Sequence, residues 1–442
     1  MACTIGIIGA GLAGSEAALV LARAGAGVTL FEMRPGVMTP AHTTGLPAEL
    51  VCSNSLKADD TVSAHGLLKQ ELTLLGSPLL EAARACRVPA GSALAVDRLQ
   101  FSANVERLLQ TTPGITRAGM ECAGPPAGCD FCIIAAGPLA SEPLTRWLQA
   151  TFPADSLHFY DAIAPIISFD SIDRGVAFYG ARHDSAGTDY LNCPFSEEQY
   201  RAFYDALVEA DRTVARAFED ARFFEACLPV EVIAGRGYRS LSFGTLRPIG
   251  LIDPRTGRRP FAVCQLRREN TAGESWNMVG FQTRLTMPAQ KQVFRLIPGL
   301  EQAEFLRYGS IHRNTYLDSP RLLGGNLSFR QRGDLFLAGQ ICGGEGYTES
   351  IATGHLAALF LLARVRGRPL PAPPPSTALG ALLRHVTGTP AGRFTPSNVN
   401  FGLIDPPPAV ETRRTSKKEK RARIVARALD QMRQWIAQNG LR

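Results

Sequence analysis

Along the first 35 positions the spacing of apolar residues changes twice. Ile5, Ile7 and Ile8 form a short apolar run, the segment Gly9-Ala10-Gly11-Leu12-Ala13-Gly14 interrupts it, and Ala17, Val20, Leu21 and Ala24 then recur at helical spacing. Val28 to Phe31 are apolar again. This pattern predicts strand, tight turn, helix and strand, with Gly25 as the helix stop. Helical pattern returns from Gly66 to Arg84, and Ala93 to Val96 lead into another helix. Phe131 to Ala136 read as a buried strand ending at Gly137. Ser196 with Gln199 makes a capping box that opens a long helix through about Ala221. A late strand, Arg332 to Gln340, passes through the loop Gly343-Gly344-Glu345-Gly346-Tyr347 into a helix from Glu349 to Ala363. Finally, Ile424, Val425, Ala428, Leu429, Met432, Trp435 and Ile436 share one face of a C-terminal helix. Strands that alternate with helices make the fold class α/β.

The glycine segment fits G-x-G-x-x-G between a strand and a helix, which is the context of a Rossmann-like dinucleotide turn. Gly9 allows the bend, Gly11 lets a pyrophosphate approach the backbone, and Gly14 lets the helix lie close to the strand. Ala10, Leu12 and Ala13 complete the cradle, and the helix N-terminus faces the phosphate charge. Glu32 ends the second strand, eighteen residues after Gly14. A carboxylate there accepts hydrogen bonds from a ribose diol and repels a 2′-phosphate, so FAD or NAD is expected over NADP. The late strand and its glycine loop favour FAD. A helix N-terminus returned to the first domain sets partial positive charge against an isoalloxazine.

At 442 residues, with 45% hydrophobic and 20% charged residues, the chain has the length of two or three domains and an ordinary globular composition. No apolar run approaches the ~18 residues of a spanning helix, and the N-terminus lacks a basic leader, so a cytoplasmic protein is expected. Ten scattered cysteines predict reduced thiols. Cys129 and Cys132 spell C-x-x-C, but as strand residues three apart they would point to opposite faces, so no metal site is expected. The net charge of +7 is concentrated in two zones. From Gly235 to Arg268 eight arginines, among them Arg236, Arg239, Arg247, Arg258, Arg259, Arg267 and Arg268, face one acid; from Glu411 to Arg442 ten basic residues face three acids. Tyr238, Phe243, Phe261 and Trp276 are interleaved with the first zone, a combination suited to RNA phosphates and unstacked bases. Cys52 follows apolar residues and precedes Ser53-Asn54-Ser55, the composition of an element opening into a pocket where a thiolate can be stabilised. A buried, inert thiol fits the same residues.

The chain carries IGAGLAGSEAA at Ile8 to Ala18, AELVCSNSL at Ala48 to Leu56, AVDRxxFS at Ala95 to Ser102, YLNCP at Tyr190 to Pro194, FFExCxPVEV at Phe223 to Val232, HRNTxxxSP at His312 to Pro320, LFxAGQ at Leu335 to Gln340 and NFGL at Asn400 to Leu403. By these runs it resembles, nearly end to end, the folate- and FAD-dependent tRNA uracil-5 methyltransferases. It implies a one-carbon unit passing from methylenetetrahydrofolate through flavin N5 to carbon 5 of a T-loop uridine in tRNA, with NADH or NADPH as reductant. It also implies Cys227 as the nucleophile on the base and Cys52 as a second thiol near the flavin, acting as general base. Gly137, Gly339, Gln340 and Tyr347 would then lie at the flavin. Ala136, Pro47 and Cys342 depart from the family's usual residues. No obligatory protein partner is implied. The expected organisation is an FAD-binding domain from 1–165 and 319–401, an inserted α+β substrate domain at 166–318 and a basic helical tail at 402–442. Alternative readings are the same chemistry on ribosomal RNA, a wobble-uridine modification protein, and a simple FAD/NAD oxidoreductase without an RNA substrate.

Overall fold

The computed structural model describes residues 3–152, 157–182, 187–213, 228–390, 394–406 and 416–441. A parallel five-stranded sheet organises the N-terminal part, in the order Leu335–Leu337, Phe131–Ile134, Ile5–Ile8, Val28–Glu32 and Ile115–Gly119. Ile5, Ile7 and Ile8 are all buried, as both faces of a parallel sheet must be. The outer strand comes from far along the chain, so the sheet is finished only after the chain has left and returned.

What lies between is a second sheet, antiparallel and six-stranded: Phe178–Tyr179, Tyr190–Phe195, Ala262–Arg268, Ser275–Met278, Ile166–Ser168 and Phe305–Arg307. The chain enters and leaves it along a two-stranded ribbon in which Ile163 pairs with Ser310. Each sheet has its own apolar core. One joins residues before 153 to residues after 316, the other lies between Ile167 and Phe305. The C-terminal helix Lys417–Asn439 starts at a capping box of Ser416 and Glu419 and buries Val425, Ala428, Met432 and Trp435 in the first core. Its long polar face stays outside because only one stripe is apolar.

Three sequence expectations change. The helical run from Gly66 to Arg84 is two helices, Ala64–Leu74 and Pro78–Ala85, because Gly76 turns at φ +72° and Ser77 caps a new helix with Pro78 in its first turn. The capping box at Ser196 is present, but its helix is Glu197–Glu209, and the rest of the expected helix falls largely on residues outside those described. Cys129 precedes the strand Phe131–Ile134 and so does not alternate with Cys132. Its Sγ lies 2.8 Å from where a Cβ on Gly6 would be, above the residue paired with Cys132. Among the described residues no group of three or more His, Cys, Asp or Glu is placed to hold a metal ion, and no helix is long and apolar enough to cross a membrane.

Candidate active site

The three glycines of the nucleotide turn answer to three different constraints. Gly9 has φ +98°, and a Cβ there would meet the Ala135 carbonyl oxygen at 2.6 Å. At Gly14 a Cβ would lie 1.9 Å from the Gly9 carbonyl oxygen, so helix Leu12–Arg23 touches the strand turn directly. A Cβ on Gly11 would meet nothing within 4 Å. Gly11 faces an open cleft, where the helix N-terminus carries no side-chain cap and no acid in its first turn. Unpaired N–H groups beside an unobstructed backbone fit the pyrophosphate of a dinucleotide.

A second helix, Tyr347–Val365, brings its N-terminus to the same cleft. It packs along the first so closely that a Cβ on Gly354 would lie 2.3 Å from the Ala13 carbonyl oxygen. Buried His355 and Glu16 tie the pair together at 2.8 Å. The cleft is lined by Gly9, Gly11, Leu12, Ala13, Glu32, Gly137, Gly339, Gln340 and Tyr347, all expected from the sequence. Ala10 and Gly14 support it from behind, Ala10 through an N–H donated to Glu32 Oε2 at 2.8 Å. Glu32 Oε1 accepts from the Arg34 backbone N–H and from its Nε, both at 3.0 Å. Burial pushes the Glu32 carboxyl up, but the Arg34 hydrogen bond and charge outweigh it and hold the group below its ordinary value. It therefore stays ionised with an acceptor position left for a ribose hydroxyl.

Sequence reading missed most of the wall between this cleft and Cys52. Buried Arg34 also reaches Glu49 at 3.4 Å, and Glu49 accepts the backbone N–H and hydroxyl groups of both Thr43 and Thr44. Burial and the Arg34 charge push the neighbouring His42 imidazole down to about 4, so it is neutral at pH 7. The loop that follows begins at Ala48 and ends at Lys57, both with positive φ (51° and 64°), a costly conformation for residues with a Cβ. Between them the Tyr347 phenol oxygen accepts the N–H groups of Cys52 at 2.9 Å and Ser53 at 3.2 Å, and it lies 3.0 Å from Cys52 Sγ. The signal for this wall was the AELVCSNSL and AVDR runs themselves, whose polar residues exceed what a strand or helix end requires.

The inserted domain grips the same loop from the other side. Arg267 donates through Nε to Asn54 Oδ1 at 2.9 Å and through Nη2 to Ser53 Oγ at 3.0 Å; Asn54 Nδ2 donates to the Arg268 carbonyl at 2.8 Å. Arg98 donates to the Leu50 carbonyl at 2.9 Å while pairing with Glu269 at 2.6 Å. Arg267 was expected on an RNA-binding surface. It is 7% exposed and employed by the cysteine loop, because its strand runs into the joint between the domains. Arg268 is half-buried, 5.5 Å over the ring of Trp276. Arg236, Arg239, Arg247, Arg258 and Arg259 are exposed. Of the interleaved aromatics only Phe243 stands in solvent, at 65% exposure; Trp276 is buried against Phe169, and Tyr238 and Phe261 pack on Tyr200. Cys227 lies outside the described residues. Just after it, Glu231 anchors the segment that begins at Leu228 by accepting from Thr283 Oγ1 at 2.8 Å and the Arg284 N–H at 2.9 Å.

A family model described as glucose inhibited division protein A matches residues 4–369. The methylenetetrahydrofolate–tRNA-(uracil-5-)-methyltransferase TrmFO of Oleidesulfovibrio alaskensis is 51% identical over 435 residues, 98% of this chain and 96% of that protein. The protein of the same name from Desulfitobacterium hafniense is 50% identical, with 99% of each chain covered. Among solved structures, Aquifex aeolicus GidA in its form II crystal is similar with a TM-score of 0.70 at 15% identity, over 98% of this chain and 73% of that one. That likeness speaks to the fold, in which a Rossmann-type domain carries an insertion. Matched over most of its length by the family model and over nearly all of it by relatives at half identity, the chain belongs to the methylenetetrahydrofolate–tRNA-(uracil-5-)-methyltransferase family.

Proposed function

We propose that this chain transfers the methylene group of methylenetetrahydrofolate to carbon 5 of a T-loop uridine in tRNA and reduces it to methyl. The observation that carries the reading is the position of Cys52. It is held against Tyr347, a residue lining the dinucleotide cleft, by a loop that the arginine-bearing inserted domain clamps. When bound, FAD would supply the redox chemistry of the transfer, with NADH or NADPH as reductant. The protein's part is to hold the dinucleotide on the Gly9 to Gly14 turn and Glu32, and to activate the base. A uracil carbon 5 is a poor nucleophile until a thiolate adds at carbon 6, the role assigned to Cys227; Cys52 takes the proton that carbon 5 must lose. The exposed arginines Arg236, Arg239, Arg247, Arg258 and Arg259 contact RNA phosphates, and the basic C-terminal helix adds a second positive face. The two cores support an FAD-binding part built from 1–165 and 319–401 with an insertion at 166–318, the helical tail packing into the first core, and a tRNA-modifying reaction fits a cytoplasmic enzyme.

The test is methyl transfer into a tRNA transcript from labelled methylenetetrahydrofolate, using FAD-loaded protein and reduced nicotinamide. Label is expected in the T-loop uridine and is expected to vanish in Cys227→Ala and in Cys52→Ala. Absence of label from tRNA with an FAD-replete sample overturns the substrate, and ribosomal RNA is then the transcript to try. Label that persists in Cys227→Ala overturns the choice of nucleophile.

A further inference from the structure

A thiol that is to receive a proton must first have lost one, and the surroundings of Cys52 bear on how. The Tyr347 oxygen accepts two backbone N–H groups, from Cys52 and Ser53. A phenol oxygen has two acceptor positions, so both are filled and its own hydrogen remains to be donated. Cys52 Sγ stands 3.0 Å away to receive it. Burial, then the proximity of Cys52, push the Tyr347 phenol well above its ordinary value, which keeps that hydrogen in place.

The charges on the surrounding elements are unevenly paired. Glu269 is taken by Arg98. Glu32 and Glu49 are taken by Arg34. Asp97 uses its two oxygens on the N–H groups of Gln100 and Thr271. His42 is neutral at pH 7. Two guanidiniums on this wall, Arg267 and Arg307, form no ion pair among the described residues. Arg267 is engaged by the neutral side chains of Ser53 and Asn54. Arg307, at the end of strand Phe305–Arg307, makes one long hydrogen bond, to the Ala41 carbonyl at 3.4 Å. Together with Arg98, Glu49 and Leu50 it lines a cavity of about 220 Å³ at the joint of the two domains, beside the loop that carries Cys52. Arg98 meanwhile fixes the two residues just before Cys52, through the Leu50 and Val51 carbonyls.

We propose that Tyr347, Arg98 and Arg307 hold Cys52 as a thiolate: Tyr347 donates a hydrogen bond to Sγ, Arg307 supplies the balancing positive charge, and Arg98 positions the loop. Cys52 then accepts a proton from carbon by forming an S–H bond, the electron pair stays on the carbon, and no oxidant is needed. The identity of that carbon acid rests on the function proposed above; the state of the thiol does not. Arg98 bonds the loop directly, whereas Arg307 stands beside it on the Ala41 carbonyl.

The experiment uses FAD-loaded protein without folate or RNA. The rate of iodoacetamide alkylation of Cys52 is followed against pH by mass analysis of its peptide. Thiolate absorbance of the wild type minus Cys52→Ser gives a second reading if the reagent is excluded. The expected midpoint lies about one pH unit or more below the ~8.5 of an ordinary cysteine. Arg307→Gln and Tyr347→Phe each raise it, and Arg307→Lys keeps it low. A wild-type midpoint at or above ~8.5, or one that neither Arg307→Gln nor Tyr347→Phe moves, overturns the proposal. Should Arg307→Gln fail to fold, the wild type, Arg307→Lys and Tyr347→Phe decide. Because no substrate is present, failure here leaves the methyl-transfer reading standing, and failure of methyl transfer leaves this one.

Discussion

Gly11 and Gly14 belong to one motif yet should fail for opposite reasons when a methyl group is added. At position 14 the new Cβ would sit 1.9 Å from the Gly9 carbonyl oxygen and 3.3 Å from Ile7 Cγ2, whereas real Cβ contacts essentially never fall below 3.0 Å. Turn and helix must therefore separate by about 1 Å at buried Gly14, and overpacking of this kind costs about 1–3 kcal/mol. At position 11 the Cβ meets nothing, and φ −71° suits alanine as well as glycine. Gly11→Ala should leave the apoprotein's stability within about 0.5 kcal/mol of wild type. Its methyl group instead occupies the path of the pyrophosphate, and the same 1–3 kcal/mol then appears as a roughly 5- to 150-fold loss of FAD affinity. Urea unfolding of the apoproteins and titration of flavin fluorescence separate the two. Gly11→Ala binding FAD as tightly as wild type, or Gly14→Ala as stable as wild type, would refute the reasoning.

Three further outcomes follow from groups outside the dinucleotide cleft. Arg267→Met should lower turnover while leaving tRNA affinity and its salt dependence unchanged, since the guanidinium serves the Cys52 loop. The exposed pair Arg258→Ala and Arg259→Ala should weaken tRNA binding and reduce the slope of log K against log salt by about 2; filter binding at several salt concentrations distinguishes them. Buried Glu71 accepts the N–H groups of Ala378 and Leu379 at 2.8 Å each, and burial pushes its carboxyl from an ordinary 4.5 to about 8. With the folded value raised, the native state binds the extra proton between these limits. Stability from this group is then complete below about pH 4.5 and declines as pH rises toward 8. Glu71→Gln should flatten the fall in unfolding free energy over that window, and a slope identical to wild type would show that Glu71 is not protonated there.

Much of the flavin-binding half was legible because its signals are local. A strand of Ile5 to Ile8, three glycines with separate steric duties and a terminal Glu32 are read from some thirty consecutive residues, and their neighbours in sequence are their neighbours in space. The apolar stripe of the C-terminal helix and the capping box at Ser196 are legible for the same reason. Gly76 and Pro78 also announced their break in the helical run, but period alone concealed it.

Tertiary structure decided what depends on contacts across hundreds of residues. That Arg267 turns inward while Arg258 and Arg259 stay in solvent follows from where one strand end meets the loop at Cys52, 213 and 214 residues away for its partners Asn54 and Ser53. Composition treats the three arginines alike. Likewise, Tyr347 can complete the hydrogen bonding of Cys52 and Ser53 only because the parallel sheet takes its last strand from the returning chain, which brings helix Tyr347–Val365 beside helix Leu12–Arg23. Propensity and periodicity fix what a segment becomes; which buried donor meets which acceptor is settled only when every polar group enclosed by packing has to find a partner.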